Sequence, residues 1–440
     1  MRIFTVKIKY QLVLSVLSLS LIFSSYYSSG QEEPLRVRLA SIPGITYKAV
    51  ECDTFFTEKY EIFIDQPVDH KDPSKGTFKQ RFVLAHKGFD KPVVFVTEGY
   101  GGAYALRPRY IDELCVPLQA NLVCVEHRYF GTSVPDPLDW KYLTIENAAD
   151  DHHRIIELLK QIYRGKWIST GISKGGQTAM YHRYFFPDDV DATIGYVCPL
   201  NFSTEDLRVY DFLNQVGNVF CRMRIRNFQE MMLRRKAECL PVFEKMASDK
   251  KLHFSIGIEK AYELMAMEYS FAFWQWGYFD CGQIPTIDAT PEQIIKHLDA
   301  VAGLDWVSDE GIRDMQPFFY QALTETGMYG YKISDFGNLI TALKSGTFDF
   351  TCPKGVQCIF NPVPMQNVDC FIRHHAEHML FIYGETDAWS STAVQLTGRP
   401  GTVKIINPNG SHRTRISNLP EDLRKKVYST LEEWLKIEIN

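Results

Sequence analysis

Residues 166–177 read Lys166-Trp-Ile-Ser-Thr-Gly-Ile-Ser-Lys-Gly-Gly-Gln177 and set the architecture expected of the whole chain. The apolar run 166–171 predicts a buried strand, and residues 175–185 predict a helix. Between them lies a Gly-x-Ser-x-Gly turn centred on Ser173. A serine in a sharp strand-to-helix turn is exposed above the end of a sheet, where the helix amino terminus stabilises negative charge. The motif is weak by itself, but this context makes Ser173 a candidate nucleophile.

The segments around this turn predict strands that alternate with helices. An amino-terminal hairpin is expected from 60–67 and 77–84. Buried strands are expected at 92–97, 121–126 and 191–200, and a helix is expected at 145–163, before the Ser173 strand. This alternation predicts a mostly parallel sheet covered by helices. It disappears between 201 and 372, where helical patterns dominate at 227–236, 260–273, 291–298 and 309–326.

Asp387 and His412, which lie beyond this helical region, complete a catalytic pattern. Asp387 follows a predicted strand at 379–383, and His412 follows another at 403–406. A serine nucleophile needs a base and the base needs an orienting carboxylate; the order Ser, Asp, His, each after a strand, is that of the α/β-hydrolase fold. Glu385 is an alternative carboxylate, less favoured because Asp387 lies deeper in the turn. The pattern predicts a serine hydrolase with a helical cap, 201–372, inserted into a catalytic domain formed by 31–200 and 373–440.

The reaction also needs N–H groups that stabilise an oxyanion. One is expected from Lys174, directly after the nucleophile, and the other from the loop 98–102, at Gly99 or Tyr100. His374, His375 and His378 form a local cluster, but the sequence offers no further ligand for a metal beside them. No metal or other cofactor is therefore expected.

Charge and the amino terminus bear on partners and location. A net charge of −5 argues against a nucleic-acid surface. Arg2, Lys7 and Lys9 precede a short apolar run at 12–23, which predicts a signal peptide over 1–30 and a secreted or periplasmic protein. The run is short for a membrane span, so no stable insertion is expected after cleavage; an uncleaved anchor is the alternative. Among ten cysteines, Cys352 and Cys358 are the first pair expected to form a disulfide.

Several segments, taken in order, resemble the exported prolyl peptidases. They are Gln66-Pro-Val-Asp-His70 with Gly76-Thr-Phe-Lys-Gln-Arg81, Glu98-Gly99, Glu126-His-Arg-Tyr-Phe-Gly-Thr-Ser133, Gly171-Ile-Ser-Lys-Gly-Gly176 and Asp387-Ala-Trp389. The Ser-Lys-Gly-Gly form and Phe271-Ala-Phe-Trp-Gln-Trp276 are most similar to the bacterial prolyl tripeptidyl aminopeptidases. The lysosomal Pro-Xaa carboxypeptidase and dipeptidyl peptidase branch is more distant.

The resemblance implies peptide substrates with proline near a free amino terminus, from which dipeptides or tripeptides are released. It transfers the catalytic roles to Ser173, Asp387 and His412. Such an enzyme needs an acid for the substrate ammonium and an apolar pocket for the proline ring. The candidate acids are Glu98, Glu268 and Glu325, and the candidate pocket residues are Trp274 and Trp276. The alternatives are an esterase or lipase on the same fold and a non-catalytic binding protein.

Overall fold

The computed structural model describes residues 33–439, and their central feature is one nine-stranded sheet. The strand order is β1-β2-β3-β5-β4-β6-β7-β8-β9. The strands are β1 (Ile45–Ala49), β2 (Glu58–Pro67), β3 (Thr77–His86), β4 (Val93–Thr97), β5 (Asn121–Val125), β6 (Trp167–Ile172), β7 (Ala192–Tyr196), β8 (Met379–Gly384) and β9 (Thr402–Asn407).

The sheet changes from antiparallel to parallel along its width. β1, β2 and β3 pair antiparallel, β3 pairs antiparallel with β5, and the remaining six strands run parallel. The predicted hairpin, β2 with β3, and the predicted parallel strands are confirmed. β4 lies between β5 and β6, so the chain passes from β4 to β5 on one side and then crosses to β6 on the other side, directly before Ser173. Ligand sites in open α/β sheets form at such a switch point, beyond the carboxyl ends of the strands.

Helices cover both faces of the sheet because successive strand residues point to opposite faces. Leu380 and Ile382 pack with the carboxy-terminal helix on one face, whereas Met379 and Phe381 pack with the helix after Ser173 on the other. The helices of this α/β core are α1 (Cys115–Leu118), α2 (Ile145–Lys160), α3 (Lys174–Phe185), α11 (Val363–His374) and α12 (Glu421–Leu435).

A helical cap, which we define as residues 201–362, is inserted between β7 and β8. Its helices are α4 (Arg208–Leu213), α5 (Val219–Arg234), α6 (Lys236–Asp249), α7 (Ile258–Trp276), α8 (Pro291–Ala302), α9 (Asp309–Asp314) and α10 (Gln316–Gln321). One apolar cluster joins the cap to Phe130 and Trp389 of the core. The α/β-hydrolase architecture with a cap between the nucleophile strand and the Asp and His strands is therefore present.

Two details of the cap differ from the sequence analysis. The expected helix at 309–326 is broken into α9, α10 and a π-helical turn, because Pro317 lacks the N–H that a continuous helix needs and begins a new helix. Helix α11, expected at the end of the cap, packs through Met365, Val368 and Ile372 on Met379 and Phe381 of the core. The helical layer of the core therefore resumes at Val363.

The described chain begins with a short amino-terminal unit and contains two disulfides. Leu35–Ala40 forms a short helix in a unit that ends at Pro43. The predicted signal peptide, 1–30, lies outside the described residues. Over 33–439, no helix combines the length and apolar character needed to cross a membrane. The predicted Cys352–Cys358 disulfide is confirmed, and a second joins Cys221 to Cys281.

Candidate active site

Ser173 occupies a strained turn between β6 and α3. Its backbone lies at φ 55° and ψ −121°, a region that non-glycine residues adopt only when their surroundings impose it. The Ser173 N–H donates to the carbonyl of Tyr196 at 2.8 Å, which ties the turn to β7. A Cβ at Gly171 would lie 2.2 Å from the Gly175 carbonyl oxygen, and one at Gly175 would lie 2.7 Å from that of Thr97. Both flanking glycines are required because backbone fills the space of a side chain.

Asp387 and His412 meet at the carboxyl edge of the same sheet. His412 Nδ1 lies 2.8 Å from Asp387 Oδ2, and both side chains are buried. The Trp389 N–H donates to the other Asp387 oxygen at 3.1 Å and fixes the carboxylate. The His412 N–H donates to the carbonyl of Gln275 at 2.8 Å, so the end of cap helix α7 holds the histidine loop. Glu385 instead accepts from the Asn409 N–H at 2.8 Å and braces the loop.

The loop after β4 packs directly against the serine turn. A Cβ at Gly99 would lie 2.6 Å from Lys174 Cβ and 2.7 Å from the Gly175 nitrogen, so only glycine allows this approach. The Tyr100 carbonyl accepts from the His127 N–H at 3.1 Å. The N–H groups of Gly99, Tyr100 and Lys174 have no backbone partner within residues 33–439, and that of Gly99 lies close enough to the Glu98 carboxylate to lower its pKa.

Glu126 holds this loop from below. Its Oε2 accepts from the Gly102 N–H at 3.0 Å and from the Arg81 guanidinium, and its Oε1 accepts from the Thr132 N–H and the Ser133 hydroxyl at 2.9 and 2.8 Å. Glu126 is 1% exposed, so these bonds are shielded from water. The segment 126–133 therefore acts as the support of the loop 98–102.

A cavity of about 690 Å³ lies between the sheet edge and the cap, and Ser173 and His412 both line it. Its walls are largely aromatic. The aromatic lining residues are Tyr100, Tyr104, Tyr110, Trp276, Trp306, Phe318, Tyr329 and Trp389. Charged side chains also line the cavity, among them Glu98, Arg107, Lys174 and Glu268, so it combines apolar walls with groups that can orient a polar organic substrate.

Two of the three candidate acids line this cavity. Glu268, on α7, is 4% exposed, and its Oε2 accepts from Tyr329 at 2.9 Å and Tyr331 at 2.5 Å. Burial raises its pKa from 4.5 to about 7, against the lowering effect of the two hydroxyls. Glu98 accepts from Tyr104, and burial raises its pKa to about 7 as well, against several lowering contacts that include Lys174.

Glu325 is the third acid, and the structure places it elsewhere. Its Oε2 accepts from the Ile145 N–H at 2.8 Å, so the carboxylate caps the amino terminus of α2, and it is not among the residues of the cavity. Burial raises its pKa to about 7. The structure therefore does not bring Glu325 to the cavity as expected, because its carboxylate is hydrogen-bonded to a helix terminus that is distant in sequence.

The two candidate tryptophans lie on different sides of α7. Trp276 lines the cavity, and its ring stands edge-on to His412 with centroids 5.8 Å apart. Trp274 packs on Gly217 and lines a separate cavity in the cap. The structure therefore does not bring Trp274 to the cavity as expected, because residues two positions apart on a helix are about 200° apart around its axis.

The side chain of Lys174 was not singled out from the sequence. It is 2% exposed, lines the cavity, and its ammonium nitrogen has no hydrogen-bond partner among the described residues. Burial lowers its pKa to about 7, and nearby Glu98 opposes that shift. The cap residues Trp306, Phe318 and Tyr329 were also missed, since nothing local distinguishes a cavity-lining aromatic from a core one. Trp389 could have been predicted to line the site, because it lies two positions after Asp387 in the sequence.

His374, His375 and His378 do not come together around one point that could hold a metal ion. The rings of His374 and His375 are 6.4 Å apart, whereas His378 Nδ1 lies 3.0 Å from the Asp191 carbonyl and its ring stacks on Trp434. The described groups that come close enough to share a metal ion are instead His153, Glu157 and Asp189, none of which lines the cavity of Ser173. Asp189 is already bonded to His153 and His182.

The chain is similar in sequence to known peptidases. The sequence model of the PS-10 peptidase S37 family matches residues 31–438. The chain is 33% identical to a prolyl tri/tetrapeptidyl aminopeptidase of Streptomyces mobaraensis, over 91% of this chain and 84% of that protein. It is 22% identical to the lysosomal Pro-X carboxypeptidase of Bos taurus, over 94% and 95% of the two chains. A solved structure of proline iminopeptidase from Mycobacterium smegmatis aligns at 13% identity and a TM-score of 0.40, covering 85% of this chain and 99% of that one.

Proposed function

Because the chain belongs to the PS-10 peptidase S37 family, we propose that it releases short peptides ending in proline from free amino termini, through an acyl-enzyme on Ser173. Family membership and the named relatives make it a serine exopeptidase of the prolyl type. These relatives act on opposite ends of a peptide, as an aminopeptidase and a carboxypeptidase. The end that this chain recognises, and the residues that carry the reaction, belong to the proposal.

The arrangement of the site supports a standard acyl-transfer sequence. Ser173 Oγ attacks the prolyl carbonyl and gives its proton to His412, which Asp387 holds in orientation. The N–H of Lys174 and that of Tyr100 or Gly99 receive the oxyanion; Tyr100 is favoured because the Gly99 N–H interacts with Glu98 and lowers the pKa of that carboxyl. His412 then protonates the leaving amine, and water hydrolyses the ester. Trp276, edge-on to His412, is the proposed wall for the proline ring.

One observation favours the amino end of the substrate: Glu268 is a buried carboxylate in the cavity, and among the described residues no cation pairs with it. The groups that shift its pKa are two tyrosine hydroxyls and burial alone. An acid of this kind lacks a counter-charge, which a substrate ammonium supplies. Glu98 already has Lys174 nearby and lies directly before the oxyanion loop. A tripeptide acyl group extends about 10 Å from the scissile bond, so its amine is expected in the cap rather than beside Ser173.

Lys174 raises a second candidate, a carboxypeptidase that binds the substrate carboxylate. Its buried ammonium lines the cavity without a hydrogen bond among the described residues. We favour the aminopeptidase because Glu98 offsets the charge of Lys174, whereas no cation within residues 33–439 offsets that of Glu268.

Chromogenic substrates test the proposal. Wild-type enzyme should release p-nitroaniline from Ala-Ala-Pro-p-nitroanilide, acetylation of its amino terminus should abolish most of the release, and Ser173→Ala should abolish all of it. Equal turnover of blocked and free substrates would contradict the aminopeptidase assignment. Strong ester hydrolysis without peptide cleavage would favour an esterase. Labelling by a fluorophosphonate that persists in Ser173→Ala would contradict the nucleophile and favour a binding protein.

Export and domain organisation of the chain are also inferred from its sequence. We propose that residues 1–30 form a cleaved signal peptide, that the mature protein acts in the periplasm or the medium, and that 31–200 with 373–440, joined by helix α11, form the catalytic domain under the cap. Amino-terminal sequencing of protein recovered from those fractions tests it: the mature chain should begin at Gln31, and a chain retaining Met1 would contradict cleavage.

A further inference from the structure

Helix α7 separates two cavities of the cap. One face of the helix contributes Glu268 and Trp276 to the cavity of Ser173. Phe271, on an adjacent side of the helix, and Trp274 line a second cavity of about 570 Å³. Met223, which also lines the second cavity, is 58% exposed, so this cavity opens to solvent on its own side.

Tyr331 closes the space beside the helix. It lines the second cavity, yet its hydroxyl donates to Glu268 Oε2 at 2.5 Å on the side of the Ser173 cavity. Its ring therefore spans the whole thickness of the partition. Tyr329, in the first cavity, donates to the same oxygen at 2.9 Å, and its ring centroid is 5.7 Å from that of Tyr331.

The partition is rigid. The Tyr331 ring is packed against Phe348, with centroids 5.3 Å apart, and Tyr329 is stacked on Phe271 at 3.8 Å and 9°. Both tyrosines and Phe348 are nearly or fully buried. Close-packed aromatic rings do not yield to a peptide chain without strain, so this surface is a fixed end of the Ser173 cavity.

From this geometry we propose that Tyr331 is a specificity-determining residue that limits the length of the peptide released from the amino terminus. The inference rests on the proposed function, in which the substrate amine binds Glu268. An amine held at Glu268 has the Tyr331 ring directly behind it. A peptide with more residues before its proline would have to place the extra residues in the space that this ring fills. Removal of the ring would connect the two cavities, and a longer peptide could then extend toward solvent past Glu268.

The size of the effect follows from the size of the ring. A tyrosine side chain occupies a length equal to about two residues of extended chain. Tyr331→Ala should therefore raise the longest product by about two residues or more. Tyr331→Phe keeps the ring and loses only the hydroxyl bond to Glu268, so it should raise KM without changing product length.

The experiment is mass-spectrometric sizing of products from peptides with one proline, placed at positions 2 to 8 from a free amino terminus. Wild type, Tyr331→Ala, Tyr331→Leu and Tyr331→Phe are compared, with Met223→Ala as a control that enlarges the second cavity but leaves the partition intact. Circular dichroism identifies variants that are folded, and Tyr331→Leu serves if Tyr331→Ala is not.

Longer products from the alanine or leucine variant alone would support the inference. Unchanged product lengths in a folded alanine or leucine variant would overturn it, as would an equal increase in Tyr331→Phe or Met223→Ala. If wild type itself released no amino-terminal peptides, the proposed function would fail instead, so the two failures are distinguishable.

Discussion

Replacing Glu268 by glutamine removes one negative charge from the cap side of the cavity and keeps the shape of the side chain. The amide oxygen introduced by Glu268→Gln can still accept from the hydroxyls of Tyr329 and Tyr331, which bond Oε2 in wild type. What is lost is the charge that pairs with a substrate ammonium. A hydrogen bond to a charged partner contributes about 1.5–3 kcal/mol, so kcat/KM for free-amine substrates should fall about 10- to 150-fold, mainly through KM.

The assay is steady-state release of p-nitroaniline from paired substrates that differ only in amino-terminal acetylation. Glu268→Gln should lower the ratio of kcat/KM for the free-amine substrate to that for the acetylated substrate toward one. Glu325→Gln is the matched control, because Glu325 is also a carboxylate whose pKa burial raises to about 7, yet it caps α2 and does not line the cavity. A Glu268→Gln enzyme with undiminished preference for free amines, or equal losses in both variants, would refute the reasoning.

The pH dependence sharpens the same prediction. Burial raises the pKa of Glu268 to about 7, so in the free enzyme its carboxylate loses charge as pH falls through that value. The KM of wild type for free-amine substrates should therefore rise below about pH 7, and the difference from Glu268→Gln should shrink there. A ratio of KM values that stays constant from pH 5.5 to 8.5 would contradict the assignment.

The remaining predictions concern residues that support the site. Glu126→Gln should lower kcat about 10- to 100-fold with little change in KM, because the loop anchored at Gly102 loses its charged support; an unchanged kcat would contradict this. Asp151→Asn should lower the free energy of unfolding by about 3–5 kcal/mol in denaturant titrations, since it leaves Arg128 buried without its bidentate partner; a loss below 1 kcal/mol would be inconsistent. Glu325→Gln should be more stable than wild type by up to about 3 kcal/mol at pH 8 and not at pH 4, because burial raises the native pKa from 4.5 to about 7 and wild type loses that stability as pH rises through 7; a pH-independent difference in melting temperature would refute it.

The convergence of Ser173, Asp387 and His412 at one sheet edge could be anticipated from the sequence because its signals are local. Each of Ser173, Asp387 and His412 lies within five residues of the carboxyl end of a strand, and the carboxyl ends of parallel strands meet at one edge. The sequence also held a reason to separate Trp274 from Trp276, since a helix places residues two positions apart on opposite faces.

Other features could not be anticipated because they depend on contacts between distant segments. Glu325 is paired with the amino terminus of α2, 180 residues away in the chain. Glu268 faces a tyrosine pair that only the folded cap brings to it. The position of α11 on the core, rather than in the cap, is likewise decided by packing on β8. Local periodicity contains no information on these pairings.

The central claim is that the site of Ser173 cleaves after proline and recognises the free amino end of the substrate. Its most direct test is mass-spectrometric identification of products from one unlabelled decapeptide with proline at position 3, supplied with a free and with an acetylated amino terminus. The account predicts an amino-terminal tripeptide ending in proline from the free peptide, almost none from the acetylated one, and none from Ser173→Ala. Removal of residues from the carboxyl terminus, or equal cleavage of both peptides, would contradict it.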